Sequence, residues 1–307
     1  MKSLSLIVAL SITLTACAST PAPAHSEAQL ELSSCAFTDN DREALEAIRA
    51  NKFADQQSDA AAEEFASCLG SPDPFFRDKI GYEGLMTALR SGAVSEQARL
   101  ALISEMLHNL NDTAEPGFLA PFSALALSEL VRTDRVEAFL SEEERADIAN
   151  QSAVYLTNVT DFRAYSDTEG WRHGVAHGAD IALQLALNPN TDEASLRALR
   201  DAIAAQITAR SGHAFTYGEP ERLARPILFM ASRNAFEAED WTAWFAELSE
   251  PAPLAEWGDA FQSEIDLARL HNLKSFAQVL YINASLSSNE NLKPIADEAL
   301  NMLKALP

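Results

Sequence analysis

Basic charge is what this chain has least of. Its 307 residues carry 23 lysines and arginines against 45 aspartates and glutamates, a formal net charge of −22. No basic cluster interrupts that balance. Nucleic-acid binding needs a basic footprint over the phosphate backbone, so nucleic acid is not among the expected partners. Glycine is scarce, at 11 residues, and no segment alternates apolar and polar residues for long enough to make a strand. Both scarcities favour helices joined by short turns. The apolar run from Leu4 to Leu14 is too short to cross a bilayer. Only three cysteines are present.

The first of them closes an export signal. Lys2 supplies a positive start, the apolar run follows, and Leu14-Thr-Ala-Cys17 resembles the bacterial lipobox, in which the cysteine is lipidated. Residues 1–16 are therefore expected to be a lipoprotein signal peptide, and residues 17–33, with Pro21 and Pro23, a tether. Residues 34–307 are expected to form a single domain. An ordinary signal peptide cleaved nearby is the alternative. Ala18, not the aspartate that resembles an inner-membrane retention signal, follows the cysteine. The expected address is thus the outer membrane, facing the periplasm, with outer-membrane lipid as partner through Cys17. Export places Cys35 and Cys68 in an oxidising compartment. They flank an expected antiparallel helix pair, so a disulfide is expected between them, with two buried free thiols as the alternative.

Helical periodicity runs through the rest. Caps at Asp39 or Asn40, Ser58, Ser95 and Ser141 and the turn Ser71-Pro-Asp-Pro74 open successive helices, and Ser141-Glu-Glu-Glu144 reads as a capping box. Residues 111–117 and 158–169 read as loops. Later helices are expected over about 192–210, from Gly218 onward, and over 240–248, 253–272, 273–286 and 289–306. The fold class is all-α: an irregular stack of antiparallel helix pairs, like the HEAT or armadillo α-solenoids.

The most informative stretch is Gly170-Trp-Arg-His-Gly-Val-Ala-His-Gly-Ala-Asp180. His173 and His177 are four apart and Asp180 is three further on, which puts them on one helix face with Gln184. The other faces are apolar, so the helix is expected to be buried. A polar stripe on a buried helix needs polar partners, a cavity or a ligand. Gly174 and Gly178 share a face on which a neighbouring helix can approach closely.

Three chemistries suit these residues. Two imidazoles at this spacing can hold a divalent metal such as zinc, with Asp180, Asp161, Glu219 or Glu221 completing the site. Gly174 occupies the position at which zinc peptidases carry glutamate, so that motif is absent. Without metal, His173 or His177 can act as a general base oriented by Asp180 or Asp161, the arrangement of a periplasmic hydrolase or lyase. In a binding module, Arg163 and Arg222 can hold an anionic group while Trp171, Tyr165 and Tyr217 stack on a sugar or peptide ring. The expected ligand is then a small molecule, glycan or protein. In the purely structural alternative, Asp161, Arg163, Glu219 and Arg222 are ion pairs that pin loops to the helix.

Several segments together resemble a bacterial family, DUF2785. They are Ser71-Pro-Asp-Pro-Phe-Phe-Arg-Asp78 with Tyr82-Glu-Gly-Leu85, Phe122-Ser-Ala-Leu125, Leu140-Ser-Glu-Glu-Glu-Arg145, Gly170 to Asp180, Thr216-Tyr-Gly-Glu-Pro-Glu-Arg-Leu-Ala224 and Ser275-Phe-Ala-Gln-Val-Leu-Tyr281. The chain departs from the family pattern at Ala164, where glycine is usual, and at Pro220, where aspartate is usual. The resemblance implies a helical domain and no particular reaction.

Overall fold

A computed structural model describes residues 35–307; the signal segment 1–16, Cys17 and the tether 17–33 lie outside the described residues. The described chain is all-α apart from one two-stranded hairpin. Its helices are α1 (Arg42–Ala50), α2 (Asp59–Ala66), α3 (Glu83–Ser91), α4 (Glu96–Asn109), α5 (Leu119–Val136), α6 (Glu142–Asn158), α7 (Gly174–Leu187), α8 (Glu193–Thr208), α9 (Glu219–Ser232), α10 (Ala238–Ser249), α11 (Glu264–Leu286) and α12 (Lys293–Ala305). None is long and apolar enough to cross a membrane.

The starts follow from side-chain caps. Ser58, Ser95, Ser141, Asp192 and Ser263 each accept a hydrogen bond from a first-turn backbone N–H. At α6 the Glu144 carboxylate returns the bond to the Ser141 N–H, completing the capping box. Pro220 sits in the first turn of α9, where a missing N–H removes no helical bond.

Four expectations are corrected. The helix after Pro74 opens with an eight-residue π-helical segment, Phe75–Tyr82, before α3. Residues 158–169 hold part of a hairpin, β1 (Tyr165–Ser166) paired antiparallel with β2 (Gly170–Trp171). The two helices expected over 253–286 are instead a 3-10 turn at Trp257–Gln262 and the single helix α11. Asn272, the expected break, lies buried inside α11. Its Oδ1 accepts the Phe215 N–H at 2.8 Å and its Nδ2 donates to the His213 carbonyl at 2.9 Å. Finally, His173 precedes α7 rather than belonging to it.

The helices pack in two layers. One runs α3, α5, α7, α9, α11, each against the next; the other runs α2, α4, α6, α8. Helix α7 lies at the centre, against α5, α6, α8 and α9. Its two glycines set the approach of α6. A Cβ on Gly178 would lie 3.0 Å from Leu156 Cδ1 and 3.2 Å from Tyr155 Cε1, and one on Gly174 would lie 3.2 Å from the Tyr155 hydroxyl. Cys35 and Cys68 are joined by a disulfide across 33 residues. Closing a loop of that length stabilises the fold by roughly 3 to 4 kcal/mol in the chain-entropy model.

Candidate functional site

The site is built where the β1–β2 hairpin, the start of α7 and the start of α9 meet. The hairpin is too short to hold itself. Two buried arginines hold it: Arg77 donates to the Glu169 carbonyl at 2.6 Å, and Arg172 donates to the Pro116 carbonyl at 2.8 Å. Their guanidinium groups lie 3.9 and 4.2 Å from the ring centre of Phe118. Gly170, at φ +73°, is required between them. A Cβ there would lie 3.2 Å from Arg77 Nη2 and 3.3 Å from Asp78 Oδ2. This contact joins the Ser71–Asp78 segment to the central motif.

The hairpin leads into His173, which adopts a left-handed conformation at φ 58°, ψ 40° and occupies the N-cap position of α7. For a residue with a Cβ that conformation costs about 1 to 2 kcal/mol. The stripe expected from the four-residue spacing is therefore broken at its first member. Even so, the His173 and His177 ring centres lie 6.0 Å apart. His173 Nε2 is buried 3.5 Å from Glu219 Oε1 and has no hydrogen-bond partner. Glu219 is buried, and burial raises its carboxyl. The neighbouring His173 and the N–H groups of Glu219 and Tyr217 outweigh that effect and hold it below the usual glutamate range. Tyr217 N–H lies 2.8 Å from Glu219 Oε2.

Above this buried pair lies an exposed aromatic surface. Trp171 stacks on His173 at 4.7 Å and 23°, with Tyr165 beside it at 5.1 Å and Tyr217 perpendicular to it at 6.2 Å. Trp171 is 40% exposed, and Tyr165 and Tyr217 are both 46% exposed. The other tryptophans, Trp241, Trp244 and Trp257, are buried in the core.

Deeper along α7 the stripe has partners within the protein. His177 Nδ1 lies 3.0 Å from the Pro121 carbonyl on α5. A carbonyl only accepts, so Nδ1 carries the proton and Nε2 the lone pair. Burial lowers the His177 pKa to about 3, helped by His173, Arg222 and Arg77. Asp180 bridges to α9 through Arg222 Nη1, at 2.5 Å from each carboxylate oxygen. Burial raises the Asp180 carboxyl above its ordinary range, while Arg222 opposes the rise. Gln184 accepts from Arg135 of α5 at 3.1 Å.

Not every expected residue joins this group. Asp161 and Arg163 pair with each other, and Arg163 reaches Glu115 at 3.5 Å. Both crowd Gly117 rather than the histidines. Glu221 is exposed on the first turn of α9. Among the described residues no three His, Cys, Asp or Glu side chains converge to hold a metal ion. His177 Nδ1 and Asp180 already have partners. The divalent-metal arrangement suggested by the histidine spacing is therefore not assembled, and no acid–base dyad joins His177 to Asp180.

The arginines holding the hairpin were not legible as site residues, although both stand in segments that carry the resemblance. A second network also went unread. Buried Asp134 accepts from the Phe139 and Leu140 N–H groups, from Arg145 and from Asn188. It ties α5, α6 and the end of α7 together and gives the Leu140–Arg145 segment its structural role.

The geometry defines an all-α protein whose central buried helix carries a polar stripe beneath exposed aromatic rings. The family model described as a protein of unknown function, DUF2785, matches residues 93–282, more than half of the chain, and the chain belongs to that family. No curated protein and no solved structure matches it.

Proposed function

We propose that this protein is an exported lipoprotein, anchored in the outer membrane through Cys17 and facing the periplasm, whose helical-repeat domain is a binding module. The observation that carries the reading is the surface of Trp171, Tyr165 and Tyr217 over the unpartnered Nε2 of His173. Aromatic rings left in water suit a ligand with an apolar ring face, such as a pyranose. The left-handed His173 fits a position held for function rather than stability.

Saturation-transfer NMR of the full chain with a panel of envelope oligosaccharides tests the reading. Sugar-ring protons should show transfer with the native protein and lose it in Trp171→Ala/Tyr217→Ala, whose helical circular dichroism should be unchanged. Absence of transfer across the panel, or equal transfer in the variant, would overturn it.

A further inference from the structure

The layer α2, α4, α6, α8 is not closed along its whole length. Helix α6 packs closely on α8 but meets α4 at few points. A continuous groove follows that gap. It holds about 400 Å³ in one part and about 160 Å³ in the next, with Leu107 and Gln151 common to both. Its floor is apolar: Ile103 and Leu107 of α4, Leu110 just beyond that helix, and Leu140 and Ile148. Val154, 58% exposed, stands at the far end.

The sides of the groove are polar and of one sign. Ser104 and His108 stand on the α4 side, and Glu144, Asp147 and Gln151 on the α6 side, spaced three and four apart along one helix face. Glu144 and Asp147 are both exposed. Glu144 caps α6, and Asp147 accepts from the neutral Gln151 at 2.7 Å. Neither acid has an ion-pair partner among the described residues. No lysine or arginine lines the groove. Arg145, next to Glu144 in sequence, is buried against Asp134 at 3.0 Å.

That charge selects the occupant. A fatty acid brings a carboxylate. A second copy of the chain brings a net charge of −22, and residues 17–33 bring Glu27 and Glu31 without a lysine or arginine. Glu144 and Asp147 repel all three. They attract an apolar face that is flanked by cations.

We propose that the α4–α6 groove docks a cationic amphipathic helix of a partner protein, with its apolar side chains on the floor and its lysines or arginines against Glu144 and Asp147. From Leu100 to Leu110, and from Glu144 to Val154, each wall advances roughly 15 Å, the rise of about three turns of a docked helix. A helix seated in this way turns an apolar residue to the floor at every third or fourth position. None of the groove residues belongs to the aromatic surface, so the inference stands apart from the reading of that surface.

The test uses a labelled, stapled helical peptide of about fourteen residues, leucine on one face and lysine along both flanks. Its fluorescence anisotropy should rise on titration with the full chain. Glu144→Gln/Asp147→Asn should weaken binding about fivefold, because glutamine keeps the capping box and asparagine keeps an acceptor for Gln151 while both charges go. Glu239→Gln/Glu247→Gln removes two exposed acids from α10 instead, and it should leave binding unchanged. Ser104→Trp, which fills the groove from an exposed position, should abolish it. The same peptide with glutamate in place of lysine should not bind. Absence of binding, an equal loss in the α10 variant, or full binding to Ser104→Trp would overturn the proposal. Displacement of the peptide by oleate, or a dimer of the native chain that Ser104→Trp dissolves, would also overturn it and give the groove to an acyl chain or to a second copy.

Discussion

His177 Nδ1 is fixed against the carbonyl oxygen of Pro121, 3.0 Å away, in a site closed to solvent. The helix to which His177 belongs is therefore built around a neutral imidazole. Its pKa falls from the ordinary 6.5 to about 3, chiefly through burial. Between those values the unfolded chain binds a proton that the folded chain refuses. The stability that neutral His177 contributes is complete above pH 6.5 and declines as the pH falls toward 3. By linkage the decline is at most about 1.4 kcal/mol per pH unit. His177→Asn keeps a donor for Pro121 and removes the titration. Urea unfolding between pH 7 and pH 4 should show a shallower pH slope for the variant. Identical slopes would mean that His177 does not titrate as described.

Asp134 is the most heavily used carboxylate outside the site. Burial pushes its pKa up, but the Arg145 guanidinium and the Leu140 and Phe139 N–H groups more than reverse the effect. Asp134→Ala leaves Arg145 charged and buried without its partner, a loss of about 3 to 5 kcal/mol. Chemical denaturation measures it directly, and a loss below about 1 kcal/mol would contradict the network.

Gly170 and Gly92 share a left-handed backbone, at φ +73° and +77°, but only Gly170 is crowded; nothing lies within 4 Å of a Cβ built on Gly92. Alanine at either position should lose about 1 to 2 kcal/mol to the conformation. Gly170→Ala should lose more, because Arg77 must also shift, and it should alter Trp171 emission. Equal losses at the two positions would remove Arg77 from the account of the hairpin.

Membrane attachment is tested separately. The protein should partition into detergent and incorporate labelled fatty acid, and Cys17→Ser should abolish both. Labelling that survives in the variant would place the lipid elsewhere or remove it from the account.

The sequence resolved what local chemistry dictates. Serine caps, the α6 capping box and the apolar surroundings of α7 are all written within a few neighbouring residues, and they place most helices. Contacts distant along the chain were hidden. Asn272 looked like a helix break because its side chain competes with the backbone; in the fold that side chain is occupied by residues 213 and 215. The left-handed turn at His173 was invisible for a similar reason. His-Gly before an apolar run reads as helix, and only the hairpin behind it, pairing His173 N–H with the Arg163 carbonyl at 3.2 Å, bends the chain otherwise. Asp161 and Arg163 were placed with the histidines because they are near in sequence, yet both turn toward Gly117. Glu219 or Arg222 was expected beside the stripe; that Glu219 faces His173 while Arg222 pairs with Asp180 is set by the fold and not by local sequence.

The support of the hairpin by Arg77 comes from outside the span that the family model matches. The matched span begins at residue 93, after Arg77, after the disulfide and after the π-helical segment. A fragment trimmed to that span would retain all the candidate residues yet surrender the cation beneath Glu169 and Gly170 that aims the tryptophan. The border of the matched span thus falls inside the border drawn by mechanics.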